Sequence, residues 1–457
     1  MARGAKKEFA LTPEEKLAQA LVPEAEQPYR VPENWRWVYL AGLLTEAKNG
    51  TTVKQDKSGN GYSVTRIESL QNQTIDFNRL GTIVDKSTIK DNDWYKAGDI
   101  ALSHINSAEH VGKTALITEN MLPLVHGMNL LRLRFANSLY PSLFQYYSQS
   151  FQYKEAILSR INMAVNQVSI KQKRLGTMEF PLPPLPEQQR IVDRIESLFA
   201  KLDEAKEKAQ AVVDGFEDRK AAILHKAFTG ELTERWRIEN TVTQDAWKTV
   251  ALEDVCASIF DGDHLPPPKS EDGIPFLVIS NVNNGFLSYE NTRFVPLDYY
   301  ESLSDTRKPH VGDLLYTLVG SYGIPVVVDS EKPFCFQRHM ALLKLRDIDT
   351  YYLWYLLQSH EMYNKASAIA TGTAQLTVPI KGLRKMTIVL PSKTEQTEIV
   401  RILDSVLSQE QQAKSAAEQV IGQINTMKKA ILARAFRGEL GTNDPTEESA
   451  ESAILVI

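Results

Sequence analysis

Two stretches of the chain carry the same alternation of apolar and polar positions, and neither resembles its surroundings. In residues 187–232 the apolar positions are Ile191, Ile195, Leu198, Leu202, Ala205, Ala209, Val212, Phe216 and Ile223, and only Arg219 interrupts the series. In residues 395–440 they are Ile399, Leu403, Val406, Ala413, Ala417, Val420, Ile424, Met427 and Ile431, and only Glu410 interrupts. A sustained spacing of about 3.5 residues is the signature of helices that pair along a seam. At about 1.5 Å per residue each helix is roughly 60–65 Å long. The alanines mark a stretch where two backbones approach closely. Pro183, Pro184 and Pro186 precede the first stretch and Pro391 the second, where proline fits. Gly230 and Gly438 stand where left-handed caps are expected.

The two stretches align without a gap at an offset of 208, with 18 identities in 46 positions. Agreement is best at the ends: EQ and IV at the start, then AILxxAFxGEL. The repeat continues more weakly outside them. Residues 165–184 answer 373–392, KAGDIALS (96–103) answers HVGDLLYT (310–317), MNLLRLRF (128–135) answers MALLKLRD (340–347), and ENWRWVYL (33–40) answers DAWKTVAL (245–252). The chain therefore reads as domain, helix, domain, helix. Packing of each helix onto its own domain alone leaves the matched seams unexplained. Antiparallel pairing of the two helices explains them.

Residues 31–180 and 245–390 have the pattern of mixed α/β domains. Short strands such as IPFLVISNV (274–282), DLLYTLV (313–319) and PVVVD (325–329) alternate with Gly, Asn and Pro turns. Each domain then has an aromatic-rich helical segment, 140–158 and 350–367, whose rings at helical spacing are expected in the core. The turns concentrate Asn, Gln, Ser, Arg and His, side chains that match base edges in the major groove. The candidate contacts in the first domain are Arg66, His104, Asn106, Lys113, Asn166 and Gln167. In the second they are Asn281, Asn283, Ser321, Tyr322, Arg338, His339 and Gln375. For any one of them ordinary loop solvation competes; their recurrence at matching places favours recognition.

Composition narrows the classes. At 457 residues the chain is long enough for several domains. No apolar run approaches a membrane span, and the first residues lack the apolar core of a secretory signal, so a cytoplasmic setting is expected. The two cysteines, Cys256 and Cys335, stand far apart without a CxxC partner, which argues against a zinc site or a disulfide framework. The net charge of −5 means that any nucleic-acid contact must use local basic patches. Catalytic signatures are missing: there is no GxxxxGK[ST] phosphate loop and no [DNS]PP[YFW] methyltransferase string. Glu204-Ala-Lys206 fits a nuclease fragment but lies on the helical seam region, and DGDH (261–264) reads as a surface loop. The expectation is a chain with no catalytic residues, no metal and no cofactor of its own.

The residues PLPPLPEQQRIVDRIE (181–196) and KAAILHKAFTGELTERWR (220–237), with second copies at TEQTEIV (394–400) and KKAILARAFRGEL (428–440), resemble the specificity subunits of type I restriction–modification systems. DGDHLPPPKSEDGIPFLVISNV (261–282) is similar to the start of that family's target recognition domain. The resemblance implies an α+β chain with a pseudo-twofold repeat: tail 1–30, target recognition domain 31–180, helical spacer 181–237, target recognition domain 245–390, helical spacer 391–440 and tail 441–457. It implies that each domain reads half of a bipartite, asymmetric site in double-stranded DNA. Two modification (methyltransferase) subunits would clamp the helices, and motor–nuclease restriction subunits would join. S-adenosylmethionine, ATP and Mg would then belong to the partner subunits, which would also share the phosphate contacts. The second GEL is followed by GTNDPTEESAES in place of TERWR; residues 14–35, which precede the first domain, are expected to pack near the end of the C-terminal helix. Two competing classes are a coiled-coil scaffold that binds proteins only and a self-sufficient restriction enzyme.

Overall fold

A computed structural model describes residues 12–56, 60–164, 167–262, 267–373 and 375–454. The chain divides into two compact units, residues up to 208 with those from 420 onward, and residues 209–419. The division passes through both long helical stretches. Three helices build them: α1 (Leu185–Asp214), α2 (Phe216–Phe228) and α3 (Lys393–Ala435).

Within each unit the helical segments run antiparallel. In the first, Lys428 pairs with Asp203 and lies 4.8 Å from the Phe199 ring, while Arg190, earlier on α1, bonds Glu447 beyond the end of α3 at 2.7 Å. In the second, Lys414 sits 4.6 Å from the Phe216 ring and Arg219 meets Glu410 at 2.7 Å. The two residues that interrupted the apolar series are thus each other's partners. The seam itself is shifted from the expected one in places. Ala205 and Ala413 are exposed, Val420 is 39% and Met427 51% exposed, and Lys206, Lys414, Ile421 and Lys428 take the half-buried positions beside them. A lysine stem covers apolar surface while its ammonium lies over a ring, so a count of apolar letters misses it.

The first helical stretch was expected to be continuous, but it breaks at Gly215, where ψ relaxes to 1°. Hydrogen bonds span the break, Gly215 N–H to Ala211 at 3.1 Å and Arg219 N–H to the Gly215 carbonyl at 3.1 Å. The missing side chain leaves room for the Arg219 guanidinium, which folds back to donate to the Val212 carbonyl at 2.9 Å. Gly230 (φ 88°) and Gly438 (φ 74°) end the stretches in the left-handed conformation, as their positions predicted.

The domain in the first unit uses β1 (Arg36–Tyr39), β2 (Leu44–Asn49), β3 (Ile100–Ser103), β4 (Thr114–Leu116), β5 (Leu130–Phe135) and β6 (Glu179–Leu182). The domain in the second unit uses β7 (Lys248–Ala251), β8 (Cys256–Asp261), β9 (Leu314–Thr317), β10 (Pro325–Val327), β11 (Met340–Leu345) and β12 (Thr387–Leu390). The sheets have matching orders: β2-β5-β3-β4 with a β1-β6 pair, and β8-β11-β9-β10 with a β7-β12 pair. One face of each four-stranded sheet packs on the aromatic helices. Phe144, Tyr147 and Tyr153 are buried in the first core and Tyr352, Leu353 and Tyr355 in the second, as expected; Phe151 (66% exposed), Tyr351 (49%) and Tyr363 (46%) are exceptions.

The pairing corrects one alignment. With Asp99 matched to Asp313, Ile100 pairs with Leu133 and Leu314 pairs with Leu343. Leu133 therefore corresponds to Leu343, two residues from the match that MNLLRLRF and MALLKLRD suggest. A slip of two keeps every side chain on its own face, so the alternating pattern cannot detect it.

The repeated Glu-Gln at the start of each helical stretch is the joint between domain and helices. Glu187 and Glu395 are fully buried. The Trp35 indole donates to Glu187 at 2.7 Å and the Trp247 indole to Glu395 at 2.9 Å. The segment leaving the antiparallel helical stretch closes each joint. Thr442 (3.1 Å) and Asn443 (2.8 Å) donate to Glu187, and Thr233 (2.8 Å) and Arg237 (2.7 Å) donate to Glu395. Gln188 accepts from the Tyr140 N–H at 2.9 Å, and Gln396 from the Asp349 N–H at 2.8 Å. A buried polar group must be paired, which is why these letters persist while neighbours change. The early segment packs against the final one: Tyr29 donates to the Phe436 carbonyl at 2.9 Å and Asn34 to the Asp444 carbonyl at 2.9 Å.

Candidate nucleic-acid interface

In the second domain, loops far apart in sequence meet at one end of the sheet. Leu318 N–H donates to the His339 carbonyl (2.8 Å), Val378 N–H to Leu318 (2.8 Å), Gly320 N–H to Leu376 (3.1 Å) and Gln337 N–H to Leu277 (3.0 Å). Four of the loops picked out from the sequence, which carry Asn283, Ser321, Arg338 and Gln375, therefore start from one backbone junction. All four of these side chains are exposed. Tyr322 is half-buried, stacked on Tyr363 with ring centroids 5.6 Å apart, and its hydroxyl lies 3.0 Å from that of Ser367. His339 is half-buried, and burial followed by the nearby Arg338 charge lowers its pKa, which favours the neutral imidazole. Asn281 differs from the rest. It is buried, accepts from the Val278 N–H at 3.0 Å and donates to the Glu290 carbonyl at 3.0 Å, so it braces its loop and presents no free edge.

The first domain repeats part of this junction with other side chains. Ile170 N–H donates to the His104 carbonyl (2.9 Å), as Val378 does to Leu318, and Thr51 N–H donates to His126 (2.8 Å). The strands approach so closely that a Cβ on Gly127 would clash with the Thr65 carbonyl; Gly262 meets the Phe336 carbonyl in the same way. Arg66 borders a cleft with Thr52, Lys54, Met128 and Asn129, and its guanidinium is held by Glu68 at 2.9 Å. Asn106 is half-buried, donates to the Ser103 hydroxyl at 3.2 Å and accepts from the Ser107 N–H at 2.8 Å. Lys113 is joined to Ser103 through its carbonyl and borders a separate cavity of about 200 Å³ with Gln73 and Lys154. His104 is buried, with its pKa lowered by desolvation, and what it offers is its backbone. Asn166 lies outside the described residues, and of Gln167 only the backbone is described, paired with Ala164.

Four exposed apolar residues in and beside these loops are not among the candidate contacts. Phe286 (59% exposed) and Leu376 (44%) stand out from polar strings, while Met128 (48%) and Met163 (81%) are exposed beside other apolar letters. Apolar contact with the thymine methyl is part of base readout, so a large apolar letter inside a polar turn was the available signal. Among the described residues no group of three or more His, Cys, Asp or Glu side chains is placed to hold a metal, and no helix is long and apolar enough to cross a membrane.

A family profile described as the type I restriction modification DNA specificity domain matches residues 32–213 and 244–419. The chain belongs to this family. The double match falls on the two repeats, so each repeat is one specificity domain with its own loop junction. Among curated proteins, the specificity domains are similar to the putative type I restriction enzyme MjaX specificity subunit of Methanocaldococcus jannaschii, 29% identical over 82% of this chain and 87% of that protein. They are also similar to the type I restriction enzyme EcoKI specificity subunit of Escherichia coli K12, 25% identical over 90% of both chains. Among solved structures, the HsdS subunit from Thermoanaerobacter tengcongensis has the same fold, with a TM-score of 0.62, 19% identity, and coverage of 91% of this chain and 100% of that one. A chain from a structure concerned with assembly and conformational transition of the type I R-M system gives a TM-score of 0.68 at 19% identity, covering 90% and 100%.

Proposed function

We propose that this chain is the non-catalytic DNA-reading subunit of a type I restriction–modification complex. Each specificity domain reads one half of a bipartite, asymmetric site in double-stranded DNA with its loop junction. The helices set the gap between the halves and dock two modification subunits, and restriction subunits complete the complex in the cytoplasm. S-adenosylmethionine, ATP and Mg act in those partners, and the partners also share the phosphate contacts that a chain of net charge −5 supplies sparingly.

One observation carries this reading: two joints built on the same Trp, Glu, Gln and Thr hold two loop junctions whose exposed side chains differ. A protein-only scaffold has no need for two dissimilar polar loop sets on one repeated frame. Methylome sequencing of cells that carry this chain with its modification partner tests it. The expected result is adenine methylation at one bipartite motif with a fixed gap. Methylation at a continuous motif, or none that depends on this chain, overturns it.

A further inference from the structure

We propose that Glu187 and Glu395 are positioning residues that fix the angle of each specificity domain on its helices, and thereby the gap between half-sites that the protein accepts. The inference rests on the two-half reading above. At each carboxylate three pieces of chain cross: the first turn of the domain's own helical stretch, a tryptophan beside the domain's first strand, and the segment leaving the antiparallel stretch. Both carboxylates are fully buried. With solvent excluded, each lone pair depends on a donor fixed in direction, so a rotation of the domain breaks several bonds at once. The neighbouring Gln188 and Gln396 hold a second point on the same domain. Two fixed points resist tilt in a way that one apolar contact does not.

Leverage makes a small tilt matter. β2 and β8 run from the joint side of each domain toward its loop junction, and each has six residues, or roughly 20 Å. A tilt of about 10° over that length moves the junction by about 3.5 Å, close to the rise of about 3.4 Å between base pairs. A loosened joint therefore lets a domain reach a half-site one base pair out of place, while its loops still read the same bases.

The joints differ in one respect. Glu395 faces a buried cation, Arg237, at 2.7 Å, whereas the donors bonded to Glu187 are Trp35, Thr442 and Asn443, all neutral. Trp247→Phe removes one donor and keeps an aromatic, though smaller, ring. The double variant Glu395→Gln, Arg237→Met removes the charge pair and keeps the volume. Asn443→Ala probes the first joint.

The test uses the full chain in complex with its modification partner. Affinity is measured for duplexes whose gap is correct, one base pair shorter or one longer, and for duplexes with one substituted base in a half-site. The expected result is a preference for the correct gap that falls about tenfold or more in the variants, with base discrimination within each half unchanged. Equal loss of affinity for all gaps, or an unchanged gap preference with only a lower melting temperature, assigns the joints a purely structural role and overturns the inference. If the double variant does not fold, Trp247→Phe and Asn443→Ala decide by the same criteria. A wild-type complex indifferent to the gap would remove the two-half reading itself, and this inference with it.

Discussion

The two repeats can be compared at two places, the joint and the loop junction. At the joint they agree almost bond for bond. Leu40 N–H meets the Met178 carbonyl at 2.8 Å and Leu252 N–H meets Met386 at 2.9 Å; Tyr146 reaches Glu196 where Tyr355 reaches Asp404. At the junction they share part of the backbone bonding and disagree in side chains. Asp76 N–H donates to the Ser69 carbonyl at 2.7 Å and Ser288 N–H to Asn281 at 2.8 Å, and Gln73 and Gly285 both take positive φ. Yet the next residue is Thr74 in one and the exposed Phe286 in the other. Buried polar bonds hold a sequence fixed, because losing one partner leaves the other unsatisfied. Exposed side chains on a braced loop are free to change with the DNA they meet.

The interiors diverge as well, and there the comparison is open to the largest test. Arg132 is fully buried and donates to Glu46 (2.8 Å), Asn92 (2.9 Å) and the Trp94 carbonyl (2.9 Å). The matching residue in the second domain is Leu342, buried among apolar neighbours. Arg132→Met should destabilise the first domain by about 3 kcal/mol, since it removes the buried guanidinium that compensates the buried Asp99 carboxylate and the half-buried Glu46. Urea unfolding followed through Trp94 measures this, and an effect below about 1 kcal/mol would make the ion cluster dispensable.

A slightly smaller effect comes from pH. His126 is buried with its pKa pushed down to about 4 by desolvation, and His104 is lowered for the same reason. The second domain has Phe336 and Leu318 at these places. A folded pKa below the unfolded value of about 6.5 gives stability that is present above that pH and lost as pH falls toward 4. The first domain should lose roughly 2–3 kcal/mol over that window, mostly through His126, and unfold before the second in acid. Simultaneous acid unfolding of both domains would count against this.

The smallest effect concerns Arg219 and Glu410, which are partly exposed. A double-mutant cycle with Arg219→Met and Glu410→Gln should give a coupling of about 1 kcal/mol, read by thermal unfolding. A zero coupling would make the two interruptions of the apolar series independent accidents.

Much of this was legible in the letters. The repeat, the glycine caps and most of the buried aromatic positions follow from spacing and residue type; that the polar loops meet at a junction does not. Three further features were not legible. Lysines in the helical seam look polar to any apolar count, although Lys414 and Lys428 pack over phenylalanine rings. The break at Gly215 rests on one glycine whose role depends on a guanidinium four residues on. Asn281 looks like its exposed neighbour Asn283, and only the fold shows that its amide is spent on Val278 and Glu290.

The two joints are shared, and the two readings are separate. Exchanging residues 245–390 for the corresponding domain of another family member, then sequencing the methylome with the same modification partner, tests this most directly. One half of the methylated motif should change while the other half stays as it was. A motif altered in both halves, or in neither, would contradict it.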